Sequence, residues 1–328
     1  MPGMTILLTG AAGFIGFHVA EALLARGEEV IGVDSLNAYY DVRLKAARLE
    51  LLTARSGFRF RRLDIADRPG LAEITLAHPG ITRIVHLAAQ AGVRHSLAAP
   101  FEYAEANVVG HLAMLELARH LPRLDHLVFA SSSSVYGANA TLPFAESDRV
   151  DTPLSLYAAT KRAGELMSHA YAHLFGLRQT GLRFFTVYGP WGRPDMAYFS
   201  FAEAILRGTP ITVYDGGRVR RDFTYIDDIV AGVLGSLDHP PDGAAPLRLL
   251  NIGNHHSEPV AELVRLLEAA LGRSAVLHDA PLPAADVAET FASVAAISAL
   301  TGFAPTTPLA VGIPRFAAWF LAWRRRFT

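Results

Sequence analysis

Over the first 185 residues, short apolar segments alternate with stretches whose apolar residues recur at helical spacing. Thr5-Ile6-Leu7-Leu8-Thr9 reads as a strand, and Phe17 to Arg26 as a helix that Gly27 stops. Glu29-Val30-Ile31-Gly32-Val33, Phe58 to Leu63, Arg83-Ile84-Val85-His86-Leu87 and Leu124 to Ala130 are further strands, and Leu156 to Phe175 is a long helix. Strands alternating with helices imply a parallel sheet with right-handed crossovers, in which ligands sit outside the carboxyl ends of the strands. After Thr186 the rhythm loosens. Phe199 to Leu206 and Ile229 to Leu237 read as helices, Ile211 to Tyr214 as a strand before an Asp215-Gly216-Gly217 turn, and Leu249 to Asn254 as a strand returning to the first lobe. Pro308 to Trp323 reads as a terminal helix packed on the protein, with Trp319 and Trp323 on one face.

Each strand end carries residues suited to a ligand. Gly10-Ala11-Ala12-Gly13-Phe14-Ile15-Gly16 follows the first strand and opens a helix, so its backbone can approach a pyrophosphate at the helix N-terminus. Its spacing is GxxGxxG rather than GxGxxG. Asp34 ends the second strand 18 residues beyond Gly16, near the ~20 at which an acid meets a ribose 2′-hydroxyl, and a carboxylate there favours NAD over NADP. A plain turn residue is the competing reading. Asp64-Ile65 suits an adenine edge, and the small residues Ala88-Ala89-Gln90-Ala91-Gly92 let a cofactor pass close. Ser131 to Ser134 follow the fifth strand.

Charge and composition mainly exclude. Thirty Lys and Arg balance 31 Asp and Glu, with no long block of either sign, so nothing points to nucleic acid. The absence of cysteine removes disulfides, thiolate metal sites and a cysteine nucleophile, and the 13 histidines show no defensible ligand spacing, so no metal is expected. Met1-Pro2-Gly3-Met4 lacks a basic leader and no apolar run is long enough to span a bilayer, so the expectation is a cytoplasmic protein without membrane contact.

Tyr157 and Lys161 stand four apart and share a helix face, where a fixed ammonium can favour the charged form of a phenol. Alone, the pair reads first as an ordinary tyrosine and an exposed lysine on an amphipathic helix. Combined with GAAGFIG, Asp34 and the SSSSVYG run ending at Gly137, it resembles the extended short-chain dehydrogenase/reductases of nucleotide-sugar metabolism, over nearly the whole chain. The segments Asp34 to Lys45, Gln90 to Arg94 and Thr186 to Met196 resemble the UDP-glucuronate 4-epimerase subfamily.

That resemblance implies an α/β fold: a Rossmann-type doubly wound parallel sheet over residues 1–185, with 224–255 returning to it, and a smaller mixed α/β nucleotide-sugar lobe over 186–328. It implies Tyr157 as base, Lys161 as its electrostatic partner and clamp on the nicotinamide ribose, and Ser132 as the hydroxyl positioning the sugar 4-OH. NAD would be held by Gly10, Gly13, Phe14, Ile15, Gly16, Asp34, Asn37, Lys45, Asp64, Ile65, Leu87, Ala88, Ala89 and Asn107, together with Tyr157 and Lys161. A UDP-sugar would meet Gly92, Arg94, Ser132, Ser133, Ser134, Tyr157, Thr186, Arg193, Arg221 and Asp286, and a homodimer would form through helices such as Ala104 to His120 and Leu156 to Phe175.

Related dehydratases carry a Thr-Asp-Glu pattern and related decarboxylases a Ser-Glu pattern where this chain has Ser132-Ser133-Ser134. With no acid to drive elimination, a 4-epimerase holding a sugar carboxylate is the leading expectation. A 4-epimerase or reductase for a neutral nucleotide sugar, or a decarboxylase, stays open. Asp227-Asp228 is expected to open a helix rather than bind metal. Two departures, Ala285 where the family carries Gly and Ser293 where it carries Asp, concern the uridine end.

Overall fold

The computed structural model describes residues 4–283 and 286–326; Ala285 lies outside them. Seven parallel strands form the central sheet: β1 (Thr5–Thr9), β2 (Glu29–Asp34), β3 (Phe58–Arg62), β4 (Ile81–His86), β5 (His126–Ser132), β6 (Gln179–Phe184) and, far along the chain, Leu247–Ile252. Their spatial order is Leu247–Ile252, β6, β5, β4, β1, β2, β3. Strands covered by helices on both faces are apolar throughout rather than alternating. Thus β1 buries Ile6, Leu7 and Leu8 completely.

Local chemistry sets the helix ends. α1 (Phe14–Ala25) starts three residues before the expected Phe17, because Gly13 is extended and serves as N-cap. No side chain caps it and its first turn holds no acid, so its free N–H groups face outward from the sheet end. α2 (Val42–Thr53) is capped by Asp41, which accepts from the Arg43 N–H. The helix Leu156–Phe175 begins at Ser155, whose hydroxyl accepts from the Ala158 N–H at 3.1 Å, and stops at left-handed Gly176. The expected helix Ala104 to His120 contains a π turn at Glu105–Val109.

Beyond residue 185 the strands shorten. Thr186–Tyr188 pairs with Phe223–Tyr225, Arg220–Arg221 lies between Glu258–Pro259 and Glu289–Thr290, and Pro210–Tyr214 pairs in parallel with Val276–Ala280. Helix Ile226–Asp238 starts three residues earlier than the pattern suggested. Asp228 does more there than complement the helix dipole, since its carboxylate accepts from the Thr306 and Thr307 N–H groups at 3.0 Å. The terminal helix Leu309–Arg324 runs through Pro314 and stacks Trp319 on Trp323. One apolar core continues from β1 through Tyr188 and Phe223 to Phe316 and Phe320, joining the two halves.

Candidate active site

The carboxyl ends of β1, β2, β4 and β5 open on a cavity of about 510 Å³, closed on its far side by segments after residue 183. Gly10, Gly13, Phe14, Ile15 and Gly16 line one end, with Asp34, Asn37, Lys45, Asp64 and Ile65; Leu87, Ala88 and Ala89 form the floor. Ser132, Ser133, Ser134, Tyr157 and Lys161 line the middle, and Gly92, Arg94, Thr186, Arg193, Arg221 and Asp286 the other end. Asn107 does not line the cavity. It sits in the π turn, where its Oδ1 accepts from the Gln90 N–H at 2.8 Å and its Nδ2 donates to the Gln90 carbonyl at 3.0 Å. Asn107 therefore shapes the loop after β4 from behind.

The Asp34 carboxylate is held by two backbone donors, the N–H groups of Ala12 (3.2 Å) and Leu36 (2.8 Å). Lys45 donates to Asn37 Oδ1 at 2.7 Å and stands 3.8 Å from Asp34, with burial pulling its pKa down. Asp64 accepts from the Ala66 N–H at 2.9 Å.

At the centre, Ser132 caps the short turn Ser133–Tyr136, accepting from the Ser134 N–H at 3.2 Å and donating to the Ser134 hydroxyl at 3.2 Å. Lys161 lies one turn along the helix from Tyr157, and its hydrogen bond goes elsewhere than to the phenol. Its Nζ donates to the Ala130 carbonyl at 2.9 Å, and burial lowers its pKa to about 8 against the pull of Glu165. Burial likewise raises Tyr157, offset in part by the nearby Ser132 hydroxyl and the positive charge of Arg193. Arg193 is a nearby cation that favours ionisation of the phenol, and Asp195 beside it opposes this.

Behind the serines lies a polar network invisible in the sequence. Ser131 donates to Glu165 at 2.6 Å, and Arg183 binds both Glu165 oxygens at 2.8 and 2.9 Å. Arg183 also reaches Tyr136, whose hydroxyl donates to Asn251 at 2.7 Å. Glu165 is one turn beyond Lys161 on the same helix, which was the available signal.

At the far end the charges are paired. Arg193 binds Asp195 through two bonds of 3.0 and 2.6 Å, and Tyr39 donates to the same carboxylate at 3.2 Å. Arg221 pairs with Asp286. Neither Tyr39 nor Asp195 stands out by residue type. They become a site only because the loop after β2 meets the loop after Tyr188.

Residues 6–253 match the model of the NAD dependent epimerase/dehydratase family. UDP-glucuronate 4-epimerase 3 of Arabidopsis thaliana is 48% identical, the match spanning 98% of this chain and 77% of that protein. A probable UDP-glucuronate 4-epimerase of Rhizobium meliloti is 46% identical over 97% of both. The crystal structure of UDP-glucuronic acid 4-epimerase from Bacillus cereus, in complex with UDP-glucuronic acid and NAD, superposes with a TM-score of 0.90 at 33% identity, covering 98% of this chain and 100% of that one.

The chain belongs to the NAD-dependent epimerase/dehydratase family.

The cavity fits the dinucleotide that the family name specifies. Gly10 has φ +74°, and a Cβ there would meet the Ala88 nitrogen at 2.8 Å; one on Gly13 would meet the Gly10 carbonyl oxygen at 2.9 Å. These positions are a cradle that any side chain would fill. The uncapped start of α1 offers free N–H groups to phosphate oxygens, and the buried Gln90 Nε2 has no hydrogen-bond partner among the described residues. Asp34 presents a fixed carboxylate for ribose hydroxyls, as this epimerase/dehydratase member requires to favour NAD. Among the described residues no cluster could hold a metal ion, and no helix is long and apolar enough to cross a membrane.

Proposed function

We propose that the protein interconverts UDP-glucuronate and UDP-galacturonate by oxidation at C4, rotation of the 4-keto sugar and re-reduction on its other face. The observation that carries this reading is the wall around Tyr157: hydroxyls of Ser132, Ser133, Ser134 and Thr186 and the Arg193 guanidinium line it, while Asp195, the carboxylate beside Arg193, is paired with that guanidinium and does not line the cavity. The carboxylates lining the cavity are Asp34 and Asp64, at the ends of strands three and four places from β5, and Asp286, already paired with Arg221. A sugar carboxylate at this wall meets donors and a cation, while dehydration finds no acid.

Bound NAD supplies the acceptor of the C4 hydride and later its donor. As its phenolate, Tyr157 takes the 4-hydroxyl proton and returns it, with Ser132 holding that oxygen in place. Lys161, fixed on the Ala130 carbonyl, would hold the ribose of the nicotinamide half. Ser133, Ser134, Thr186 and Arg193 grip the carboxylate so that the C5–carboxylate bond stays out of line with the carbonyl π system, which suppresses loss of CO₂. The Arabidopsis, Rhizobium and Bacillus relatives support the same substrate.

Incubating purified protein with UDP-glucuronate, without added NAD, should yield UDP-galacturonate. A pentose nucleotide as sole product would instead mark a decarboxylase. Arg193→Leu should cost UDP-glucuronate turnover about 10- to 100-fold, the worth of a charge-assisted bond, and UDP-glucose turnover far less; equal losses would favour a neutral sugar.

The same reading divides the chain into an NAD half, 1–185 with 224–255, and a nucleotide-sugar half over the rest, and places it in the cytoplasm with its soluble substrates. It also implies a homodimer. Leu97, Phe101, Leu112 and Leu166 leave much apolar surface exposed on the helices before β5 and before β6. Light scattering should give twice the chain mass, and Leu166→Glu should halve it.

A further inference from the structure

The loop that carries Arg193 and Asp195 is fastened to the nucleotide half by one fully buried guanidinium. Arg48, on α2, is 0% exposed. Its Nη1 donates to the Ala12 carbonyl, inside the glycine loop, and to the Tyr40 hydroxyl, each at 2.8 Å. Its Nη2 donates to the carbonyls of Trp191 and Gly192 at 2.5 and 3.1 Å. No carboxylate pairs with it among the described residues. A buried cation satisfied only by carbonyls and a phenol is expensive to keep, and the planar fork of arginine is what lets one group hold two segments at once.

Other ties converge on the same loop. His18 of α1 is hydrogen-bonded to the Pro190 carbonyl at 3.0 Å. Trp191, held at φ +61°, packs against Phe17, Trp319 and Trp323 with ring centres 5.3 to 5.5 Å away. Arg193 follows two residues later and lines the cavity.

We propose that Arg48 is a positioning residue that ties the glycine loop to the Trp191–Arg193 loop, setting Arg193 where it meets the substrate carboxylate. The inference rests on the proposed UDP-glucuronate chemistry. It makes Arg193 placement depend on the shape of the nucleotide-binding loop rather than on the sugar lobe alone.

All three tryptophans of the chain, Trp191, Trp319 and Trp323, lie in this one cluster, so intrinsic fluorescence reports on the loop. The test titrates protein saturated with NAD, following that emission, with UDP-glucuronate and with UDP, which lacks the carboxylate. Arg48→Met should weaken UDP-glucuronate about tenfold or more and UDP less than about twofold. In an Arg193→Leu background it should add nothing, because Arg48 acts through Arg193. Arg48→Lys keeps the charge but loses the fork; it should behave like Arg48→Met, and it carries the test if the methionine variant is insoluble. Equal losses for the two ligands, additive losses in the double variant, or rescue by lysine would each overturn the inference. The two readings fail separately: wild type that binds UDP-glucuronate no better than UDP and does not epimerise it sinks both, whereas wild type that epimerises it while Arg48→Met weakens both ligands alike sinks only the role of Arg48.

Discussion

Gly10 shows how much chemistry a missing side chain can carry. With φ +74° and the Ala88 nitrogen 2.8 Å from where a Cβ would stand, Gly10→Ala meets both backbone strain, about 1–2 kcal/mol for an L-residue, and a collision with the cavity floor. Purified Gly10→Ala should retain less than about a tenth of the NAD found with wild type, read from released nucleotide, while still folding. Tyr157→Phe should do the reverse, keeping NAD but losing about 10²- to 10⁴-fold in turnover, the usual contribution of a general base; near-normal turnover would remove Tyr157 from that role. At this scale the sequence was most legible where backbone or bond-making chemistry admits few residue types, as at Gly10, Asp34 and Tyr157. It was least legible where a role depends on what a side chain meets. Lys161 reaches the Ala130 carbonyl, Asn107 meets Gln90 from behind, and Asp195 meets Arg193 and Tyr39.

Among elements, the pairing of β5 and β6 with the helix Leu156–Phe175 decides the shape of the serine wall. Glu165 has no exposed side-chain surface and joins Ser131 on β5 to Arg183 on β6. Glu165→Gln leaves the Arg183 guanidinium buried without its carboxylate, which should cost about 3–5 kcal/mol in denaturant unfolding. Adding Arg183→Met should recover part of that loss; no recovery would mean that Glu165 stabilises by other contacts. The large elements were readable because apolar periodicity is a strong signal in long helices and doubly covered strands. Short ones were not. Val276–Ala280 is mostly exposed and carries His and Asp, so only its partner Pro210–Tyr214 marks it as a strand. The π turn at Glu105–Val109 leaves no trace in the apolar spacing.

For the whole molecule, buried histidines set the response to acid. Burial lowers His18 to about 4, His111 and His126 to about 3, and His86 well below its ordinary value. Their folded values lie below the ordinary 6.5, so below that pH the unfolded chain binds protons that the native protein refuses. Stability is therefore fully kept above pH 6.5 and lost between about 6.5 and 3, at up to roughly 1.4 kcal/mol per pH unit for each group. Asp222 acts oppositely: burial raises it to about 6, so it regains stability as pH falls from about 6 toward 3.8, but it is one group against four. Urea midpoints should hold from pH 8 to 7 and drop steadily from 6.5 to 5; a flat profile would show that these imidazoles take up protons in the native state. The parallel sheet on this scale followed from the βαβ rhythm, whereas the continuous core joining both halves could not be read from any one segment.

The outermost position of Leu247–Ile252 beside β6 also governs how the chain is made. All six residues of β6 are buried, and six register pairs join it to a strand that appears in the chain only after 62 intervening residues. Until that segment leaves the ribosome, β6 is an uncovered sheet edge rich in apolar neighbours, a template for pairing with other nascent chains. Closing such a long loop is also slow relative to forming the neighbouring βα units. A fragment ending at residue 185 would keep the Gly10–Gly16 loop and the Tyr157 helix yet leave β6 without its partner, and should aggregate.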